Sequence, residues 1–418
     1  MKDVVIVSAC RTAIGTFGGT LKDVILADLG AAVMKEAVKR AGIDPSTIDD
    51  VRFGCCMEHV NTLNSTRTAA LLAGIPVTVP AVTINRVCPS GMEATASGMA
   101  MIQAGMADTV LVGGMEHMSG VPYASLEARW GCRLQDKTLV DCIIRGLHCG
   151  SYVQPLSDDS PAKDTPLFDM FKGKPYIMGQ TAEFIAAIYG ITREEMDEVA
   201  LKSHNCAERA TKEGAFAEEI VPIEIPSKKK GKPPVIFDKD EHFRPGLTMQ
   251  DLADLPPAFI PKIGKVTAGN SSGINDGASA MVIMSADKAK ELGLKPLAKI
   301  RSVGRGGCHP SVMGLSPTPA VKNLLKNDPK LTIDSFELIE LNEAFASQYI
   351  GCERDLGFKR DRANLNGSGI GLGHPVGSTG CRIIVSLLYG MRNRGKNLGL
   401  ATICGGGGVG MATAIEII

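Results

Sequence analysis

The run Val82-Thr83-Ile84-Asn85-Arg86-Val87-Cys88-Pro89-Ser90-Gly91 leads an extended, β-branched stretch into a cysteine, a proline and a glycine. An alanine-rich helical segment follows, to about residue 104. Proline suits the first position of a helix, where its missing N–H would have no partner. Cys88 is therefore expected at or just before a helix N-terminus, where the macrodipole and free N–H groups favour a thiolate. A nucleophile and an inert buried thiol both fit that position. Three further segments hold residues of reactive type: Leu341-Asn342-Glu343-Ala344-Phe345, Gly371-Leu372-Gly373-His374-Pro375 and Cys404-Gly405-Gly406-Gly407. Taken singly, His374 could cap a helix, Asn342 could form a turn, and Cys404 could be a small hydrophobe.

The elements that must position these residues alternate between strand and helix. A strand at 3–8 is followed by a helix at 27–41 ending at Gly42, a strand near 50–55, a helix near 65–73 and a strand at 77–87. After the Cys88 helix comes the apolar strand Thr109-Val110-Leu111-Val112, closed by Gly113-Gly114. Such alternation predicts an α/β protein with a mainly parallel, buried sheet. From about residue 119 to 264 strands become hard to find. One amphipathic helix, 192–213, stands out there, with Thr192 as N-cap and Glu195 completing a capping box. The basic run Lys228-Lys229-Lys230-Gly231-Lys232 reads as a solvated loop. Alternation resumes near Gly269, and the last strand is expected at 398–404. The chain thus divides into an N-terminal half (1–118), an inserted loop domain (119–264) that binds substrate, and a C-terminal half (265–418).

The two halves repeat. Ala32-Val33-Met34-Lys35 corresponds to Ala320-Val321-Lys322-Asn323, the strand ending at Cys55 to the one ending at Asn342, and Cys88-Pro89-Ser90-Gly91 to His374-Pro375-Val376-Gly377. The offset drifts only from 288 to 286 across these three elements. A duplication places equivalent loops at the same end of the fold, so Cys88 and His374 should face each other from two helix starts. A thiol facing an imidazole is a nucleophile–base arrangement.

Together, Cys88, Asn342-Glu343-Ala344-Phe345, Gly373-His374-Pro375 and Cys404-Gly405-Gly406-Gly407 resemble the signatures of the thiolase family, in order and over nearly the whole chain. Ser8-Ala9-Cys10-Arg11-Thr12, Gly113-Gly114-Met115-Glu116 and Thr267-Ala268-Gly269-Asn270 extend the likeness. The resemblance implies a duplicated five-layer αβαβα fold and coenzyme A thioester chemistry, with no tightly bound cofactor and coenzyme A as co-substrate. It assigns acyl transfer to Cys88, proton abstraction to His374, and the second acid–base role to Cys404. One oxyanion hole would be formed by His374 with a water held by Asn342, the other by the backbone N–H groups of Cys88 and Gly406. Arg244, Ala268 and Ser272 would lie along coenzyme A, and Met178 near the thioester. The family also implies a homodimer or homotetramer.

Two departures surround the substrate. The family commonly has histidine where this chain has Ile177, in Tyr176-Ile177-Met178-Gly179, and residues 147–174 exceed the family pattern by about 20 residues. They point to a bulky, branched or aryl-substituted 3-oxoacyl-CoA as an alternative substrate, and the long loop offers a place for a partner subunit. A ketoacyl-synthase-type condensing enzyme is a further alternative, although Cys404 is the thiolase mark.

Other classes are excluded on composition. Forty-five basic residues balance forty-five acidic ones without a basic stripe, which disfavours nucleic acid. No apolar run is long enough to span a membrane, and no export signal is read, so a cytoplasmic protein is expected. Cys55-Cys56-Met57-Glu58-His59 and His148-Cys149 do not make a metal site, because adjacent ligands rarely share one tetrahedron.

Overall fold

The computed structural model describes residues 2–227 and 231–418. Lys228, Lys229 and Lys230 of the basic run lie outside them. The first half comprises β1 (Val4–Thr12), α1 (Leu26–Ala41), β2 (Asp50–Gly54), α2 (Ser65–Leu72), β3 (Ala81–Ile84), α3 (Ser90–Gln103) and β4 (Thr109–His117). The inserted region carries α4 (Met178–Ile188) and α5 (Arg193–Lys212). Beyond it run β5 (Asn275–Ser285), β6 (Ala298–Gly307), α6 (Pro317–Asn327), β7 (Leu338–Leu341), α7 (Ala346–Leu356), α8 (Val376–Arg392), β8 (Leu398–Gly405) and β9 (Val409–Ile417).

Local chemistry sets these boundaries. In α1 the row Leu29, Val33, Ala37 and Ala41 is buried, and the helix stops at Gly42, whose φ of 67° suits the left-handed cap. Thr192 accepts from the Glu195 N–H at 3.1 Å while Glu195 accepts from the Thr192 N–H at 2.8 Å, the reciprocal cap the sequence predicts for α5.

The strands run in the order β7-β8-β9-β6-β1-β5-β4-β2-β3. Of these nine, only β2–β3, β2–β4 and β7–β8 pair in parallel. The sheet is therefore not mainly parallel, as expected, but mixed. In each half a late strand returns antiparallel beside the first: β5 between β1 and β4, and β9 between β6 and β8. Helices cover both faces, so these antiparallel strands are buried along most of their length and read like parallel ones. Nor is 398–404 the last strand. The glycine run turns the chain at Gly407 (φ 80°) and Gly408 (φ 85°) and sends it back as β9.

Five layers follow from the packing. The α1 and α2 helices cover the first half's strands, α3 and α8 lie buried between the two halves, and α6 and α7 cover the second half with α4 and α5 beside them. The repeat extends to every main element, and an isolated parallel bridge from Ile339 to Ala363 stands where β3 stands in the first half. Among the described residues the strands of the halves pair only through Val5–Lys299 and Ile6–Ala298 of β1 and β6. The stronger joint is the middle layer. A Cβ on Gly91 would lie 2.8 Å from the Cys381 nitrogen, and one on Gly380 would lie 2.5 Å from that of Met92. Glycine lets the two helix starts touch along their backbones.

Candidate active site

Cys88 hangs in the turn between β3 and α3. Val87 before it has φ 54°, a conformation costly for a β-branched residue. The turn is held by the Val87 N–H on Asn85 Oδ1 (2.9 Å) and by Ser90, whose hydroxyl bonds the Val87 carbonyl (2.5 Å) and accepts from the Arg86 N–H (2.8 Å). Pro89 serves as the N-cap and Ser90 opens the helix, one position later than the sequence suggests. Burial pushes the Cys88 thiol up to about 12, Cys149 and Glu116 reinforce this, and the N–H groups of Gly406 and Cys88 itself oppose it. The expected thiolate is therefore not the resting form: two or three N–H groups do not offset desolvation and neighbouring acidic groups. To act as a nucleophile such a thiol would need a base.

The imidazole that the repeat pairs with Cys88 is His374. It sits in the equivalent turn, after Gly373 (φ 103°) and before Pro375, the N-cap of α8. Its backbone N–H donates to Asn275 Oδ1 at 2.8 Å. Its Nδ1 lies 2.7 Å from Thr379 Oγ1, and the Thr379 hydroxyl already donates to the Pro375 carbonyl at 2.9 Å. A hydroxyl has one hydrogen, so Nδ1 must be the donor and Nε2 must carry the lone pair. Nε2 is buried without a protein partner. Burial, with help from Arg382, pushes the imidazole down to about 3, so it stays neutral across the physiological range.

Asn342 follows β7, where its backbone N–H donates to the Thr402 carbonyl at 3.0 Å, beside β8, the strand that carries Cys404. Its side chain is fully buried, yet neither Oδ1 nor Nδ2 has a partner. Buried polar atoms without partners cost about 1–3 kcal/mol each, and they mark places where a water or a reacting group belongs. Cys404 is buried on β8, and desolvation raises its thiol well above the ordinary range, with Cys88, Cys352 and Cys308 reinforcing the effect. The next turn brings the Gly406 N–H to Cys88, while Pro89 fills the space in front of Gly405. A Cβ on Gly406 would sit 2.1 Å from Cys149 Sγ and 3.3 Å from Met178 Sδ. Cys88, Cys404, Gly406 and Met178 thus converge at one end of the fold.

Arg244 and Ala268 line a cavity of about 380 Å³ with His204, His242, Leu252 and Ser271. Arg244 also borders a second cavity of about 670 Å³, with Phe17, His242 and Phe243. Ser272 lines neither, its neighbour Ser271 taking that place, and its N–H is used on the Ala344 carbonyl (3.0 Å). Cys55 and Cys56 turn to Glu116 and Ser90, and among the described residues no group of three or more His, Cys, Asp or Glu could hold a metal.

Sequence reasoning did not find Glu116, Cys149, Asn275 or Thr379. Glu116 caps β4 and accepts the N–H groups of Gly377 (2.7 Å), Cys56 (3.0 Å) and Met57 (3.1 Å), which ties the start of α8 to the end of β2. Its signal was the Gly-Gly-Met-Glu strand end. Thr379, five residues past His374, lies in the first turn of α8 and was close enough in sequence to be a candidate. Asn275, the first residue of β5, and Cys149, from the inserted region, are far from the site in sequence and had no signal.

The sequence matches the thiolase N-terminal domain over residues 4–156 and 156–287, and the thiolase C-terminal domain over 294–417. Acetyl-CoA acetyltransferase of Syntrophomonas wolfei is 48% identical over 421 aligned positions, covering 100% of both chains. That of Cupriavidus necator is 45% identical, also over 100% of both. The crystal structure of human mitochondrial 3-ketoacyl-CoA thiolase in complex with CoA superimposes with a TM-score of 0.89 at 37% identity, covering 100% of this chain and 98% of that one. The fold and the matches define an acyltransferase. The chain belongs to the thiolase family and has its α/β fold, and no helix among the described residues is long and apolar enough to cross a membrane.

Proposed function

We propose that this chain interconverts a 3-oxoacyl-CoA plus coenzyme A with acetyl-CoA, or a substituted equivalent, plus a shortened acyl-CoA. Cys88 attacks the 3-keto carbon as His374 Nε2 takes the thiol proton, and the carbonyl oxygen is received by the Cys88 and Gly406 N–H groups. The C2–C3 bond breaks, the acyl group stays on Cys88 as a thioester, and the departing enolate is protonated by Cys404. The enolate oxygen is received by protonated His374 Nε2 and a water on Asn342. Cys404 then deprotonates the incoming coenzyme A thiol, which collects the acyl group as the departing Cys88 thiolate takes its proton back from His374. Run in reverse, the sequence is a Claisen condensation.

The observation that carries this reading is the pair of buried, unpartnered groups, His374 Nε2 and the Asn342 carboxamide. Cysteine fits the acyl carrier because it is both a soft nucleophile and a good leaving group. A thiol acid suits carbanion protonation at neutral pH. Crowding of Gly406 by Cys149 and Met178 favours a small acyl group on Cys88, in keeping with relatives named acetyl-CoA acetyltransferase. We assign coenzyme A to the cavities bordered by Arg244, with its nucleotide end at that arginine and its pantetheine along Ala268 and Ser271, in place of the expected Ser272, towards Met178.

Mass spectrometry after incubation with a panel of 3-oxoacyl-CoA and acyl-CoA thioesters tests the reading. An acyl adduct on Cys88, discharged by coenzyme A and most abundant for short acyl groups, is expected. An adduct on another residue refutes the mechanism, and a preference for bulky groups refutes the assignment of acyl size. Discharge by an acyl carrier protein but not by coenzyme A would indicate a ketoacyl-synthase-type enzyme instead.

A further inference from the structure

Asn275 opens β5 and is fully buried. Its carboxamide touches three segments that come from different parts of the chain. Oδ1 accepts the backbone N–H of His374 at 2.8 Å. Nδ2 donates to the Gly15 carbonyl at 2.9 Å and lies 3.3 Å from His242 Nδ1. The two faces of the side chain are kept clear by glycine. A Cβ on Gly373 would lie 2.7 Å from Asn275 Nδ2, and one on Gly273 would lie 2.2 Å from His242 Cε1 and 2.8 Å from Asn275 Oδ1. Gly373 has φ 103°, which an L side chain could not readily adopt, and this is the residue that aims His374.

We infer that Asn275 is a positioning residue with two separable duties, holding the catalytic base through its carbonyl oxygen and the wall of the coenzyme A cavity through its amide nitrogen. The inference rests on the proposed function above. His374 has two anchors, Thr379 on its ring and Asn275 on its backbone, and only the second fixes the peptide whose φ is unusual. His242 lines both cavities beside Arg244, so its ring orientation shapes the mouth that coenzyme A must enter. With its Nδ1 facing an amide donor, His242 is held with that nitrogen as an acceptor. Among the described residues no other side chain bonds the His374 N–H: Thr379 meets the ring from α8, and Arg382 acts on it through its charge.

The two halves of the amide can be tested apart. Asn275→Asp keeps an oxygen acceptor for the His374 N–H but places oxygen where the donor to Gly15 and His242 was. Asn275→Ala removes both. Two readouts are taken on the intact protein: the rate of Cys88 alkylation by iodoacetamide, which needs His374 but no coenzyme A, and the Kd for coenzyme A by calorimetry. Asn275→Ala should slow alkylation at least tenfold and raise Kd at least fivefold. Asn275→Asp should keep alkylation within threefold of wild type while raising Kd at least fivefold. The inference is overturned if Asn275→Asp loses alkylation as fully as Asn275→Ala, or if its Kd stays at the wild-type value. It is also overturned if Asn275→Ala lowers only the melting temperature. Because neither readout uses turnover, these outcomes are distinct from failure of wild-type protein to form an acyl adduct, which would refute the functional reading itself.

Discussion

Replacing His374 by alanine isolates the work of the base. With the Cys88 thiol at about 12, only about one molecule in ten thousand holds a thiolate at pH 8. Wild-type protein avoids that limit because His374, pushed down to about 3, is neutral and able to take the proton at every pH of interest. The acylation rate of wild-type protein should therefore be flat between about pH 6 and pH 9, since neither group titrates there. In the His374→Ala variant attack must wait for spontaneous ionisation. Its rate should fall by about 10²–10⁴ at pH 8, the usual worth of a general base, and should climb tenfold per pH unit up to at least pH 10. The assay is single-turnover acylation by acetyl-CoA, quenched and read by intact-protein mass at each pH. A variant within tenfold of wild type at pH 8, or one whose rate reaches a plateau below pH 9, would refute the assignment of His374 as base and of Cys88 as a high-pKa thiol.

Thr379→Val leaves the His374 Nδ1–H without its acceptor, and loss of a hydrogen bond worth about 1.4 kcal/mol should lower kcat about tenfold, with Thr379→Ser restoring it. Gly406→Ala drives a Cβ into Cys149 Sγ and shifts the N–H that faces Cys88; kcat should drop about 10²–10³-fold, as for a lost oxyanion donor, in a protein that keeps its circular dichroism spectrum. In Cys404→Ala the acyl-Cys88 adduct should still form from acetyl-CoA, while exchange of the acetyl methyl protons with solvent deuterium, followed by NMR, should fall by about 10²-fold or more. Arg11 is fully buried and pairs with Glu219 at 2.6 Å and Asp240 at 2.7 Å, so Arg11→Met strands two carboxylates and should cost about 3–5 kcal/mol in urea unfolding.

Much of this was legible before any coordinates. The repeat from 32 to 320 and from 88 to 374 located the pseudo-symmetric turns, because equivalent residues in a duplication need no long-range information to be paired. Helix ends at Gly42 and Thr192 were readable from local capping chemistry. Strand direction was not, since an apolar run buried on both faces looks the same whichever way its neighbours point. The hairpin at Gly405–Gly408 was hidden by its own composition, as four glycines read equally well as a terminus or a turn. The resting state of Cys88 differs from the expectation because a helix N-terminus is local and visible in sequence, whereas the burial that outweighs it, reinforced by Cys149 from the inserted loop and Glu116 from β4, is set by distant segments. Asn275 was invisible for the same reason: its three partners lie 260, 33 and 99 residues away.

The glycine contact between α3 and α8 sets how freely this protein can vary. Each copy of the repeat supplies the surface against which the other copy's reactive turn is aimed, and the strand seam of Val5 and Ile6 is too short to hold the halves on its own. A methyl group added at Gly91 is thus felt at Cys381, and through α8 at His374, in the opposite half. The two copies can diverge on their outer faces at little cost, but along this line they are bound to change in matched pairs. A library that randomises Gly91 and Gly380 together with Met92 and Cys381 should recover active sequences that no single-site scan of the same positions contains.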